Sequence, residues 1–284
     1  MAAMDSAQSP GRPLAFRKMH GIGNDFVVID ARGRADPVTP ALARALGDRH
    51  RGVGFDQLAV IAEDPEATAR LTFWNADGST AGACGNATRC VASLLMREGV
   101  AAPVLRTENG LLATHAAGDG RITVDMGLAR WGWQEIPLAE AVDTLALPLP
   151  GSPVAVSMGN PHAVHFVDDL GAVDLATRGP AVETHPLFPE RTNVQFVQVL
   201  SPSRVQALVW ERGVGRTLAS GSSACAITVA GHRRGLTERA LSVELEGGVL
   251  DMRFGEDGHV QMTGPVTDVF EGTLTAAFLA EIAP

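Results

Sequence analysis

The chain has no tyrosine and a single lysine, Lys18, among its 284 residues. A Schiff-base cofactor needs a lysine inside a pocket, and Lys18 sits beside a turn. Basic runs are absent too, and the net charge is −9. That excludes a nucleic-acid surface, which needs a positive patch with aromatic platforms. Only three cysteines occur, Cys84, Cys90 and Cys225. An odd, small number gives no disulfide framework, and a reducing compartment is expected. The Cys84–Cys90 spacing is not that of metal ligands, and His162 and His165 have no cysteine or carboxylate at a ligating distance in sequence, so no metal is expected. No apolar run approaches the ~18 residues of a membrane span. The segment from Met1 to Pro13 is rich in Ala, Ser and Pro and lacks the apolar centre of a signal peptide. A cytoplasmic protein with a loose N-terminal tail is expected.

What is present is a core-forming composition, 45% apolar, and an internal repeat. Setting residue i beside residue i+136 aligns Gly23-Asn24 with Gly159-Asn160, Gln57 with Asn193, Trp74-Asn75 with Trp210-Glu211, and Cys84-Gly85 with Ser220-Gly221. One ungapped offset joining four polar landmarks points to a duplicated domain, with a crevice between the halves as the natural ligand site. Short apolar runs recur in both halves and read as strands: Phe26 to Ile29, Leu58 to Ile61 and Leu71 to Trp74, then Ala163 to Phe166, Val194 to Val197 and Ala207 to Trp210. Leu111 to Met126 and Leu241 to Phe254 read as hairpins around glycines. A helix is expected from Pro40 to Arg49. Helical patterns also follow Cys84 and Ser220, stopping at Gly99 and at Gly231 or Gly235. The expected fold is α+β: two pseudo-symmetric domains, each a mostly antiparallel sheet wrapped around a central helix, with the site in the cleft. The expected boundaries are a tail over 1–15, domains over 16–148 and 149–275, and a short 276–284 segment that packs back.

The chemistry gathers at two Gly-rich turns, each opening a helix. Asn75-Ala-Asp-Gly-Ser-Thr-Ala-Gly-Ala-Cys84-Gly-Asn delivers a thiol to a helix N-terminus, where free N–H groups and the dipole lower a thiol pKa and cradle a carboxylate. Glu211-Arg-Gly-Val-Gly-Arg-Thr-Leu-Ala-Ser220-Gly builds the second start. Two opposed helix starts stabilise the charge that develops when an α-proton leaves a bound amino acid. A proton-transferring group on each side permits inversion. Neither turn has the spacing and lysine of a P-loop. Cys90 and Cys225 lie on apolar helical stretches and read as packing residues.

Met19-His-Gly-Ile-Gly-Asn24-Asp-Phe26, Asn75-Ala-Asp-Gly-Ser79, Cys84-Gly-Asn-Ala-Thr-Arg-Cys90, Gly159-Asn160-Pro-His162, Arg191-Thr-Asn193-Val and Trp210-Glu211-Arg212-Gly resemble diaminopimelate epimerase from about Phe16 to about Phe270. The resemblance implies a cofactor-independent two-base isomerase acting on diaminopimelate, between its LL and meso forms, on the route to lysine and peptidoglycan. It implies Cys84 as the acid/base of one face, and substrate-binding roles for Asn24, Gln57, Asn75, Asn160, Asn193 and Arg212. His162 and Glu211 match positions that support the reacting centre and its amino group. Gly85, Asn86, Gly221 and Ser222 match the amides around the carboxylate. The expected partner is this small molecule, with no nucleic acid or membrane and a possible homodimer. Ser220 departs from the pattern, standing where the family has its second thiol. Serine is a much weaker acid and needs a neighbouring base. The departure implies a deliberate Cys→Ser change in an otherwise normal epimerase, of reduced activity; a natural serine variant that still racemises, a one-base dehydratase and a non-catalytic amino-acid binder are the alternatives.

Overall fold

The computed structural model describes residues 14–82 and 84–282. Most of the expected tail, residues 1–13, lies outside the described residues, while Leu14 and Ala15 already belong to the first strand. The first half runs β1 (Leu14–Gly21), β2 (Asn24–Asp30), α1 (Pro40–Gly47), β3 (Gln57–Ala62), β4 (Ala69–Asn75), β5 (Thr80–Ala81), α2 (Gly85–Arg97), β6 (Val104–Thr107), β7 (Gly110–Ala116) and β8 (Ile122–Leu128). The second runs β9 (Val154–Ser157), β10 (Pro161–Phe166), α3 (Leu175–Glu183), β11 (Asn193–Ser201), β12 (Arg204–Glu211), β13 (Gly215–Thr217), α4 (Gly221–Arg233), β14 (Ala240–Leu245), β15 (Gly248–Phe254) and β16 (His259–Gly264). β17 (Thr267–Leu274) and α5 (Ala276–Ile282) close the chain. This is the expected α+β architecture with two similar halves.

The duplication extends to strand register. The parallel pair Phe26 opposite Gln57, in β2–β3, has its counterpart in His162 opposite Asn193, in β10–β11. Leu58 opposite Trp74 likewise corresponds to Val194 opposite Trp210. All four keep the 136-residue offset. Beyond the central helix the offset is 138, as in Leu105–Leu112 against Val243–Leu250. Pairing is parallel at β2–β3, β4–β6, β10–β11 and β12–β14, and antiparallel elsewhere.

Each half wraps a helix made mostly of small and apolar residues, the pattern of an enclosed helix, with Arg89 of α2 the charged exception among their buried residues. In α2, Gly85 to Ala92 are all buried, and α4 is buried from Ser223 to Gly231. Both end in a left-handed glycine, Gly99 at φ +100° and Gly235 at φ +69°. Helix α4 runs through Gly231 because that glycine packs against Thr237, where a Cβ would lie 2.5 Å from Oγ1. Helix α1 starts as expected. Pro40 occupies the first turn, and the Thr39 hydroxyl accepts the Leu42 N–H at 3.2 Å.

Sheet pairing does not follow the linear division at 148/149. β8, from the first half of the chain, pairs with β16. β17, from the end, pairs with β1 across the other half. The chain thus ties each half to the other's sequence. Helix α5 packs back, its Phe278, Leu279 and Ile282 lying on the cluster that contains Leu42 and Leu46 of α1.

Helix α3 braces the second half. A Cβ at Gly179 would fall 2.6 Å from the Trp210 indole, a rigid neighbour. Gly179→Ala is expected to cost about 1–3 kcal/mol through overpacking, read as a lower midpoint in thermal or urea denaturation.

Candidate active site

The two helix starts meet. A Cβ built on Gly221 would lie 3.8 Å from the Gly85 Cα and 3.0 Å from the Met262 sulfur. One on Gly85 would lie 2.8 Å from Met262 and from Met126. Neither glycine has positive φ. They are glycines for room, so that the N-termini of α2 and α4 can abut over methionines from β16 and β8. The turns cross-brace as well: Gly247 packs on Ile22, and Asn109 lies beside Gly159.

Cys84 and Ser220 occupy the N-cap positions of these helices in extended backbone, at φ −147° and −142°. Their contacts differ. Cys84, half-buried, accepts the Ala87 N–H at 3.5 Å. Ser220 is buried and makes no cap; its hydroxyl donates to Glu211 Oε2 at 3.0 Å. That contact was not evident in the sequence. It gives the serine the neighbouring base it needs. The expectation that the helix start lowers the Cys84 pKa is reversed. Burial pushes the thiol up to about 12, and Glu211 adds to this, while the Ala87 and Asn86 amides pull the other way. A long N–H contact to sulfur does not offset the loss of water. Burial also raises the Glu211 carboxyl, against the Ser220 hydrogen bond.

The remaining expected residues fall into linked groups. The Asn24 side chain donates to Asp56 at 2.9 Å and accepts from Asn86 at 3.1 Å, tying the β1–β2 turn to the start of α2. Gln57 donates to Asn75 at 3.1 Å, and Asn75 to the Ser79 hydroxyl. In the second half, Asn193 accepts the Arg212 N–H at 3.0 Å and donates to the Pro161 carbonyl. The Arg212 guanidinium reaches the Glu190 carbonyl at 3.1 Å. Ser222 is half-buried in the first turn of α4. His162 is fully buried, and both ring nitrogens are engaged: Nε2 with Asn160 Oδ1 at 2.9 Å, Nδ1 with Gln195 Nε2 at 3.0 Å. Since the Gln195 amide donates, His162 carries its proton on Nε2 and orients Asn160. Burial, with Arg212 nearby, lowers it to about 3, so the ring is neutral and has no free nitrogen for a substrate proton.

Several supporting residues were given no role from the sequence. Glu183 of α3 accepts the Trp210 indole N–H at 2.7 Å and the Gly213 N–H at 2.8 Å, holding the turn that carries Glu211 and Arg212. Asp25 pairs with Lys18 and Arg49. Burial opposes its ionisation, yet Arg49 and Lys18 hold its carboxyl at about 2. Arg49 continues to Asp56, which anchors Asn24. Lys18 is thus committed to an ion pair. The i+136 frame could have flagged Gln195, which aligns in sequence with Ala59 of the first half; Glu183 has no repeat signal.

Comparison with known proteins gives a consistent family. The family model described as diaminopimelate epimerase matches residues 16–132 and 154–269. Among curated relatives, a diaminopimelate epimerase of Acidiphilium cryptum is 53% identical over 270 residues, covering 93% of this chain and 98% of that protein. One from Rhodospirillum centenum is 52% identical, covering 95% of each. Solved structures share the fold at low identity. A Bacillus anthracis phenazine biosynthesis protein of the PhzF family has a TM-score of 0.68 at 14% identity, over 93% of this chain and 99% of that one. A hydroxyproline epimerase from Agrobacterium vitis has a TM-score of 0.67 at 15% identity, over 93% of each.

Proposed function

The chain belongs to the diaminopimelate epimerase family and is an isomerase, and on that footing we propose that it interconverts LL- and meso-diaminopimelate through Cys84 on one face and a Ser220–Glu211 pair on the other. The observation that carries this reading is the 3.0 Å contact from the Ser220 hydroxyl to Glu211. In one direction the Cys84 thiolate takes the α-proton. Ser220 gives its hydroxyl proton to the opposite face of the α-carbon and is reprotonated by the Glu211 carboxylic acid. The reverse direction starts from the thiol and the Glu211 carboxylate. The abutting N-termini of α2 and α4, with Gly85, Asn86, Gly221 and Ser222, hold the α-carboxylate and its developing charge. Arg212 and the amides of Asn24, Gln57, Asn75, Asn160 and Asn193 suit a second ammonium and carboxylate. No cofactor enters these steps. The metabolic setting is lysine and peptidoglycan synthesis in the cytoplasm. Among the described residues no helix is long and apolar enough to cross a membrane. A symmetric homodimer fits the commonest oligomer geometry.

A serine hydroxyl remains a poorer acid than a thiol even with a carboxylate beside it, so the chain is a slow epimerase. Ser220→Cys is expected to raise turnover by about tenfold or more, within the range of a general acid–base group. The assay is α-proton exchange and inversion in deuterated water, starting from each stereoisomer. Full activity of the serine form with no gain from cysteine rejects the serine-limited reading. Substrate binding without deuterium uptake by either form points to the non-catalytic binder, and loss of water from a hydroxylated analogue to the one-base dehydratase.

A further inference from the structure

Arg89, in the second turn of α2, is the largest fully buried side chain among the described residues. A buried guanidinium ordinarily sits against a carboxylate, because an isolated charge out of water is costly. Arg89 has no such partner among the described residues. Nη1 lies 3.3 Å from the Met262 sulfur, and Nε and Nη2 have no hydrogen-bond partner. The slot around it is nonetheless shaped for it. A Cβ on Gly21 would fall 2.7 Å from Nη2, and one on Gly264 would fall 3.1 Å from Cζ. Neither glycine has positive φ, so the backbone does not require them; a side chain at Gly21 would meet the guanidinium first, and one at Gly264 would meet Leu250 Cδ2 at 2.6 Å as well as the guanidinium. The slot lies directly behind the meeting point of the helix starts, since Met262 touches Arg89, Gly85 and Gly221 alike.

Position and asymmetry indicate what the charge serves. The repeat counterpart of Arg89, five residues after Ser220, is Cys225, so a single cation stands at this helix position and it belongs to the thiol half. We infer that Arg89 is a positioning residue whose uncompensated buried charge stabilises the anionic state of Cys84 where the two helix starts meet. This rests on the epimerase reading above. Burial draws the Arg89 pKa down from its high ordinary value, but a guanidinium keeps its proton in proteins, and it supplies what the helix amides alone do not, a positive charge behind a thiol that burial otherwise keeps neutral. Arg89 favours the anionic form of the buried Cys90 and Cys225 as well as that of Cys84, while the other charges in reach oppose it: Glu211 at Cys84, Asp268 at Cys90 and Asp125 at Cys225.

The test measures the pH dependence of Cys84 alkylation by iodoacetamide, with peptide mapping, in the full chain and in Arg89→Met and Arg89→Lys. Alkylation reads the thiolate without requiring turnover, so its result stands apart from the epimerase reading. In Arg89→Met the Cys84 midpoint is expected to move up by about one unit, lowering alkylation at neutral pH about tenfold. Epimerase kcat should fall with it while KM stays within about twofold. Arg89→Lys, which keeps the charge, is expected to restore both to within about threefold. A folded Arg89→Met with an unchanged alkylation profile overturns the inference. If Arg89→Met does not fold, the lysine variant decides: a wild-type profile supports the role of charge, and a tenfold loss overturns it.

Discussion

Cys84→Ala is expected to lower net interconversion of the two stereoisomers by about 10²–10⁴-fold, the usual contribution of a positioned acid–base group. The loss should be equal in both directions, because each direction needs a proton to leave one face and arrive at the other. Exchange with solvent should behave differently. With the Ser220–Glu211 face intact, the stereoisomer whose α-hydrogen points at Ser220 can still lose its proton and regain one from the same side. Deuterium therefore enters that isomer slowly without inversion, and the other isomer stays unlabelled. The measurement is mass spectrometry or NMR of each isomer after incubation in deuterated water. Labelling of both isomers, or inversion at the wild-type rate, shows that Cys84 is not the base of its face.

The fold was readable where chemistry and repetition coincide. The 136-residue offset aligned Cys84 with Ser220 and Gln57 with Asn193; Gln57 and Asn193 occupy equivalent places in the strand register, and Cys84 and Ser220 are the N-cap residues of α2 and α4. The apolar runs at Phe26 to Ile29 and Val194 to Val197 are strands as expected. What could not be read is pairing at a distance. Nothing in the local pattern of Ile122–Leu128 says that it joins β16, or that Thr267–Leu274 returns to β1, because alternation specifies a face and not a neighbour. The same limit hid Glu183 and Arg89. A charged residue in a sequence reads as solvated, and only the packing of Gly21, Gly264 and Met262 around Arg89 shows otherwise. The acidity expected of Cys84 failed for a related reason. A helix start is visible in sequence, whereas the burial that outweighs it depends on tertiary packing around the thiol.

Glu211→Gln is expected to be as damaging as the loss of Cys84, by about 10²–10⁴-fold in kcat/KM, and for a cause peculiar to this chain. A family thiol at position 220 would carry its own proton; a serine hydroxyl must pass it on, and the carboxyl 3.0 Å away is the group placed to receive it. Glutamine keeps the shape and the hydrogen bond and removes the proton acceptor. If the two act as a unit, Ser220→Ala and Glu211→Gln fall by similar amounts, and the double variant is no worse than either. Additive losses would separate the residues and leave Glu211 as a substrate ligand only. Stability should move the opposite way. Burial raises the folded pKa of Glu211 above its ordinary 4.5. Its contribution to stability is therefore full below that ordinary value and declines as pH rises through the folded pKa, where an ionised carboxylate must be kept out of water. Glutamine has no charge to bury. At neutral pH the variant's thermal midpoint should equal or exceed that of the parent chain, and the gap should close as the pH is taken below about 4.5. A variant that loses both activity and stability at neutral pH would mark Glu211 as a structural residue, whereas inactivity with retained or higher stability is the signature of a buried acid kept in place for the reaction.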